Sequence, residues 1–281
     1  MAETLKKIFI AYADHHLAYS LKRIGRQARC LGCFDEVILY TPDDLPEYIW
    51  HSPLMQQAKG GGYWAWKPAI IHETLQKHDE GDIVVYVDAG CTLNKSTEWD
   101  LMFKLMQEYD TVCFHYDAEM PVWAKFGNTS TRIKYWTKQS AIRFLDDYCH
   151  DTRWHEALKV MGGILFIKGK DNRFLRQWLD IVMNHPEVIS DPTEEELQEQ
   201  PEGFAFHKHE QSVITALANN DPDTLVLPEI SDTNGYHSFV YAERLRASSF
   251  KQYLIEKSKH LLRHYLGDDF IDGLKHLTTP Q

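Results

Sequence analysis

Apolar positions along the chain fall into two alternating rhythms. Runs such as "KIFIAYA", "EVILYT", "DIVVYVDAG", "TVCFHY" and "GGILFIKG" are short, rich in β-branched and aromatic residues, and end on polar or glycine punctuation, which predicts buried strands. Between them, "LAYSLKRIGRQAR", "KPAIIHETLQKH", "SAIRFLDDYC", "NRFLRQWLDIVMNH" and "EQSVITALANN" place apolar residues at helical spacing. Strands that take turns with helices predict an α/β fold, a mostly parallel, Rossmann-like central sheet flanked by helices. No internal repeat or linker breaks the pattern. The expected organisation is one domain over residues 1–243, followed by a helical tail over 244–281.

Composition narrows what such a domain does. With 281 residues, 43% of them hydrophobic and 12% aromatic, the chain can bury a large core. A formal net charge of -11 excludes a general nucleic-acid binder, which needs clustered Lys and Arg to displace counterions. No stretch reaches the length of a membrane span, and "MAETLKKIFIAYAD" enters a strand without a signal-peptide pattern, so the expected location is cytoplasmic. Five cysteines, an odd number scattered through periodic segments, fit reduced thiols, and "CLGC" has no second pair to complete a zinc site.

Two stretches stand apart by charge. "EVISDPTEEELQEQPEG" holds seven acids and no base, and reads as a solvated loop or short exposed helix. Residues 244–264 carry six Lys or Arg against one Glu, interleaved with Phe250, Tyr253, Leu254, Leu261 and Leu262. That composition suits peripheral contact with an anionic inner membrane, and equally a helix docked on the domain with a basic outer face.

Candidate chemistry gathers where strands end. In open α/β sheets, ligands bind beyond the carboxyl ends of the strands, and "DIVVYVDAG" ends there with Asp88 and then Gly90, which permits close approach to the backbone. The first strand, "FIAYADHH", ends on Ala11, Tyr12 and Asp14, a ring and a carboxylate suited to a base or ribose. Between them "KGGGYWAWKPAII" offers Tyr63, Trp64 and Trp66 as ring faces, Lys67 as a cation for phosphate, and Pro68 for the first turn of a helix. Without a ligand, Asp88 would cap a turn and the aromatic run would plug the core.

The same stretches resemble the nucleotide-sugar-dependent glycosyltransferases of the GT-A type, in particular bacterial enzymes of capsule, O-antigen or lipooligosaccharide synthesis. "FIAYAD" resembles the nucleotide-binding first strand of family-eight galactosyltransferases, "VVYVDAG" the strand that ends in their Asp-x-Asp motif, and "MGGILFIK" a segment near the donor sugar. "HKHEQSVITAL" is similar to the His-x-His-Asp-Gln-Ser stretch of polysaccharide transferases, and "GYWAWKP" to their Tyr-Trp-x-Trp-Lys-Pro signature. The resemblance spans about residues 8 to 240. It implies a nucleotide-sugar donor, UDP-linked, and a polysaccharide or lipid-linked saccharide acceptor. It also implies Mn²⁺ or Mg²⁺ held by Asp88 and His237, with His207 and His209 as rivals, and Glu210 or Gln211 near the sugar's reacting face with retention favoured; if the reaction inverts, Glu210 or Asp117 is the carboxylate to deprotonate the acceptor hydroxyl. Two residues depart from the pattern: Gly90 stands where the second acid of Asp-x-Asp would be, and Glu210 where an Asp would be.

Two other classes fit part of the sequence. "VYVDAGCTL" resembles the Asp-x-Asp-x-Thr motif of haloacid-dehalogenase-like phosphatases, with Asp88 as nucleophile and Thr92 in place, but Gly90 where their general acid belongs. A non-catalytic carbohydrate-binding protein would account for eight tryptophans, though not for ligand groups at successive strand ends.

Overall fold

A computed structural model describes residues 5–229, 231 and 238–266. The strands are β1 (Lys7–Tyr12), β2 (Glu36–Tyr40), β3 (Ile83–Val87), β4 (Thr92–Leu93), β5 (Thr111–His115), β6 (Ile164–Lys168), β7 (Thr224–Pro228) and β8 (Val240–Tyr241). Six of them form one sheet in the order β2-β1-β3-β6-β5-β7, while β4 and β8 pair as a separate ribbon. Five strands of the sheet run the same way, and β6 is antiparallel to both its neighbours, β3 and β5. The sheet is therefore mixed and mostly parallel, with helices on both faces.

Alternation along the strands divides the core in two. Ile8, Ile10, Val84, Tyr86, Leu165 and Ile167 point to one face and pack with helices Trp66–Gln76, Gln139–Cys149, Arg173–Asn184 and Glu210–Asn220. Phe9, Ala11, Val85, Val87 and Phe166 point to the other, against helices Ala18–Leu31 and Glu98–Leu105. Every residue of β3 is buried, which explains why its sequence is continuously apolar and not alternating. Each such side chain contributes roughly 2 kcal/mol of burial.

Strand direction decides what meets at the edge. Since β1 and β3 are parallel, Tyr12 and Asp88 emerge at the same edge, and the reversed β6 begins there. Asp88 N–H donates to the Gly163 carbonyl at 2.9 Å, so the glycines before β6 lie beside the carboxylate after β3. The reversal brings a second loop to the site that a parallel strand would have carried away.

Past β8 the chain remains stitched to the domain. Leu245 N–H donates to the Gly90 carbonyl at 3.0 Å, and Ser20 Oγ donates to the Leu245 carbonyl at 2.8 Å and accepts from Ala247 N–H at 3.0 Å. Leu245 and Ala247 are fully buried, and the helix Phe250–Leu266 follows, with Tyr253 against Tyr19. The acidic stretch near residue 190 is solvated only in part, because Val188 and Ile189 anchor it in the core.

Candidate active site

Three charged side chains converge beyond the end of β3. Lys67, in the first turn of helix Trp66–Gln76, donates to the Gly162 carbonyl at 2.8 Å and stands 3.3 Å from Asp88 Oδ1 and 3.7 Å from Glu210 Oε1. Tyr86 Oη donates to the same Oδ1 at 2.5 Å. Tyr86 and Asp88 are two residues apart on an extended strand and so share a face. Asp88 Oδ1 is thereby held by two donors, while its side chain remains 45% exposed.

Glycines make the convergence sterically permissible. A Cβ on Gly163 would lie 2.9 Å from Asp88 Oδ2, and one on Gly162 would lie 3.1 Å from Glu210 Oε1 and 3.4 Å from Lys67 Nζ. With no side chain at 163, Asp88 Oδ2 fits close against the loop before β6.

The approach to Lys67 is a left-handed turn. Gly60, Gly61, Gly62, Tyr63 and Trp64 all have positive φ, between 52° and 96°. Left-handed backbone costs an ordinary L-residue roughly 1–2 kcal/mol and glycine almost nothing, so three glycines carry most of this turn. Tyr63 and Trp64 are held in it by contacts. Tyr63 Oη donates to Asp191 at 3.0 Å, Lys59 pairs with that carboxylate at 2.7 Å, and the Tyr63 ring stacks on His209 at 4.8 Å. The turn aims Trp66 back so that its indole N–H donates to the Gly60 carbonyl at 3.1 Å and its ring stacks on Tyr12 at 3.9 Å.

His209, with φ of 51° and ψ of −120°, is a second strained residue, and it immediately precedes Glu210 at the start of helix Glu210–Asn220. Glu210 is fully enclosed. Burial pushes its carboxyl up to about 7, against the pull of Lys67 and with the push of Asp88. A group with that pKa changes protonation near neutrality.

Several expectations are corrected by this geometry. Lys67 is not an exposed cation waiting for phosphate: it is 1% exposed and already engaged with Asp88 and Glu210. Tyr12 and Trp66 are stacked on each other and buried. The close approach that Gly90 allows is taken by the chain's own Arg244, whose Cα would lie 3.4 Å from a Cβ there. His207 has both ring nitrogens in contact with backbone, Nδ1 with Lys138 N–H and Nε2 with the Val188 carbonyl, and His209 Nδ1 bonds the Ile189 carbonyl. These contacts tie both histidines to the 188–191 segment, and His209 Nε2 stands 3.6 Å from Asp191 Oδ1.

Other candidates are simply placed. Ala11 is buried in β1. Asp14 accepts from His16 N–H at 2.9 Å, and among the described residues Asp14, His15 and His16 are the one group of metal-ligating side chains close enough to share an ion. Gln211 follows Glu210 in the first turn of its helix, Asp117 lies exposed past β5, and His237 falls outside the described residues. Thr92, the threonine of the phosphatase-like motif, donates to Glu243 at 2.6 Å and receives Arg23 at 2.7 Å, so it is committed to tying β4 to its neighbours.

For a divalent cation, the described residues at β3 supply one carboxylate, Asp88, which is 45% exposed. That fits an ion which takes one protein oxygen and completes its shell from phosphate and water, as Mg²⁺ commonly does. Tyr86 went unnoticed in the sequence, although its spacing from Asp88 carried the signal. Lys159 and Lys208 carried none, since neither lies at a strand end.

No protein-family model matches the chain, and no curated protein matches it. Solved structures do. An active-site mutant of the galactosyltransferase LgtC is 11% identical, over 81% of this chain and 74% of that one, at a TM-score of 0.40. Mouse xyloside xylosyltransferase 1 is 9% identical, over 82% and 86%, at 0.37. Core-mannan synthase A from Aspergillus fumigatus, in a form with Mn and GDP, is 10% identical, over 80% and 73%, at 0.39. These are glycosyltransferases. At TM-scores of 0.37 to 0.40, the function of this chain rests on its own site geometry.

Proposed function

We propose that the chain is a glycosyltransferase that moves a sugar from a nucleotide-sugar donor, UDP-linked, to a hydroxyl of a polysaccharide or lipid-linked saccharide acceptor. The observation that supports this reading is the meeting of Asp88, Lys67 and Glu210 beside Gly162 and Gly163 at one edge of the sheet. Breaking a glycosyl–phosphate bond builds negative charge on the leaving diphosphate and positive charge on the sugar. Lys67, buried and engaged, fixes Asp88 and Glu210 at that edge, and the half-exposed Asp88 is the group open to the donor. Mn²⁺ or Mg²⁺, where bound by Asp88 and His237, supplies Lewis-acid stabilisation of the diphosphate. In this reading Glu210 and Gln211 serve the reacting face of the donor sugar with retention of configuration, and Asp117 would be a base only if the reaction inverts.

The tail is proposed to touch an anionic membrane surface. Leu254, Ile255, Leu261 and Leu262 are each at least 40% exposed and recur every seven residues as one stripe of helix Phe250–Leu266, with exposed Lys251 and Lys259 beside it. Among the described residues, no helix is long and apolar enough to cross a membrane.

A thermal-shift panel of nucleotide sugars, with and without Mn²⁺, tests the donor. A ligand at about 100 times its Kd adds about 2.7 kcal/mol, a visible shift, and UDP-sugars are expected to give it. A flat response across the panel would refute the reading.

A further inference from the structure

Besides Lys67, two further lysines feel the charge of Glu210. Lys159 sits in the segment that leads into Gly162, held by backbone on both sides: its N–H donates to the Thr131 carbonyl at 2.9 Å, and its carbonyl accepts from Tyr116 N–H at 3.0 Å. The side chain is fully buried, and its ammonium makes no hydrogen bond. Three rings enclose it, with centroids at 3.6 Å for Trp123, 4.6 Å for Trp136 and 4.8 Å for Tyr116.

Lys208 shares the same rings. Its ammonium is 5.6 Å from both Trp123 and Trp136 and 4.3 Å from Phe206. Both lysines feel Glu210 and repel each other, and burial lowers both, Lys208 to about 8. Cation–π contact offsets part of the cost of burying two like charges, yet an ammonium without a hydrogen-bond acceptor remains expensive. An anion with one or two oxygens would give Lys208 that acceptor. Trp123 and Lys208 are only half-buried, and Val122 and Phe126 at the rim are exposed, so Lys208 is reached from solvent while the Lys159 ammonium stays enclosed by the rings.

We propose that Lys208 and Trp123, backed by the enclosed charge of Lys159, form a subsite for an acidic sugar unit of the acceptor, the indole covering the ring and the Lys208 ammonium taking its carboxylate. This inference rests on the transferase reading, with Glu210 as the acid common to Lys67, Lys159 and Lys208. The donor half lies with Asp88 and Lys67 at β3, and the lysine pair lies with the 116–136 segment beyond β5, which assigns the acidic unit to the acceptor.

The test compares 4-nitrophenyl β-glucuronide with 4-nitrophenyl β-glucoside by titration against the full chain, alongside UDP. Wild type is expected to bind the glucuronide about tenfold more tightly, the worth of a charge-assisted hydrogen bond. Lys208→Gln, at a half-buried position, should erase that preference and Lys159→Met should reduce it, both leaving UDP affinity unchanged. Equal binding of the two glycosides by wild type overturns the proposal, as does a loss of UDP affinity in the lysine variants, which would move the pair to the diphosphate. If UDP and UDP-sugars fail to bind while the glucuronide preference and its loss stand, the acidic-sugar subsite holds and the transferase reading falls.

Discussion

Lys67 Nζ stands 3.3 Å from Asp88 Oδ1, joining the first turn of a helix to the end of a strand through a side chain that is almost entirely buried. Glu210 completes the group at 3.7 Å. Removing one partner from a buried set of charges costs more than an exposed ion pair is worth, because the others are left without compensation. Lys67→Met is therefore expected to destabilise the fold by about 3 kcal/mol at pH 8. At pH 5.5 the loss should be smaller, since Glu210 is then protonated and needs no cation. Urea titrations at the two pH values check this; an equal or negligible loss at both would show that Lys67 does not compensate Glu210.

Glu210 also sets a pH dependence in the wild type. Its folded pKa is raised from the ordinary 4.5 to about 7, so the folded chain holds the proton more tightly than the unfolded one. Stability is highest below about pH 4.5 on this account and falls as pH rises toward 7, by about 3 kcal/mol at about 1.4 kcal/mol per pH unit. Glu210→Gln should remove that slope. Stability curves of the two proteins that run parallel from pH 4.5 to 8 would show that Glu210 titrates normally.

The glycine turn permits a graded test. Gly61 has φ of 57° and an added Cβ would meet only Trp66 Nε1, at an ordinary 3.8 Å, so Gly61→Ala should cost only the conformational term, about 1 kcal/mol. Gly62→Ala should cost more, because its Cβ would meet the Met55 sulfur at 2.7 Å and the Leu54 carbonyl at 3.1 Å. Chemical denaturation ranks the two, and equal costs would mean that the turn rearranges freely.

The proposed membrane contact depends on the stripe of helix Phe250–Leu266. Leu254→Ser combined with Leu261→Ser, and separately Lys251→Glu combined with Lys259→Glu, should each weaken co-sedimentation with anionic vesicles, by about 1 kcal/mol per cation for the charge pair. Binding that is unaffected by both pairs, or absent in wild type, would leave the helix as a docked surface element.

Much of the site was legible because strand periodicity carries it. Apolar runs ending in Asp14 and Asp88 located β1 and β3, and the rule that ligands gather at carboxyl ends located the edge. The strand before Lys168 was legible as a strand, but its reversal was not, since hydrophobicity fixes which residues are buried and leaves direction open. Lys67 was misjudged for a related reason: a lysine beside a Gly-rich stretch reads as exposed, and only the opposing carboxylates of Asp88 and Glu210 make its burial tolerable. Lys159 and Lys208 are joined through rings at 116, 123 and 136, contacts too distant along the chain for any local pattern to reveal.

The central claim is that β3 exists to deliver Asp88 to a sugar–diphosphate. UDP release from UDP-sugars, measured with melting temperature on Asp88→Asn, tests it most directly. Asn is nearly isosteric and suits turns, so a merely capping Asp88 would cost well under about 1 kcal/mol and leave turnover intact. The expected result is wild-type release of UDP and a variant that melts near the wild-type temperature but is slower by roughly a thousandfold, several kcal/mol of lost transition-state stabilisation. Near-normal turnover by the folded variant, or a wild type that hydrolyses simple phosphomonoesters and leaves UDP-sugars untouched, would contradict it.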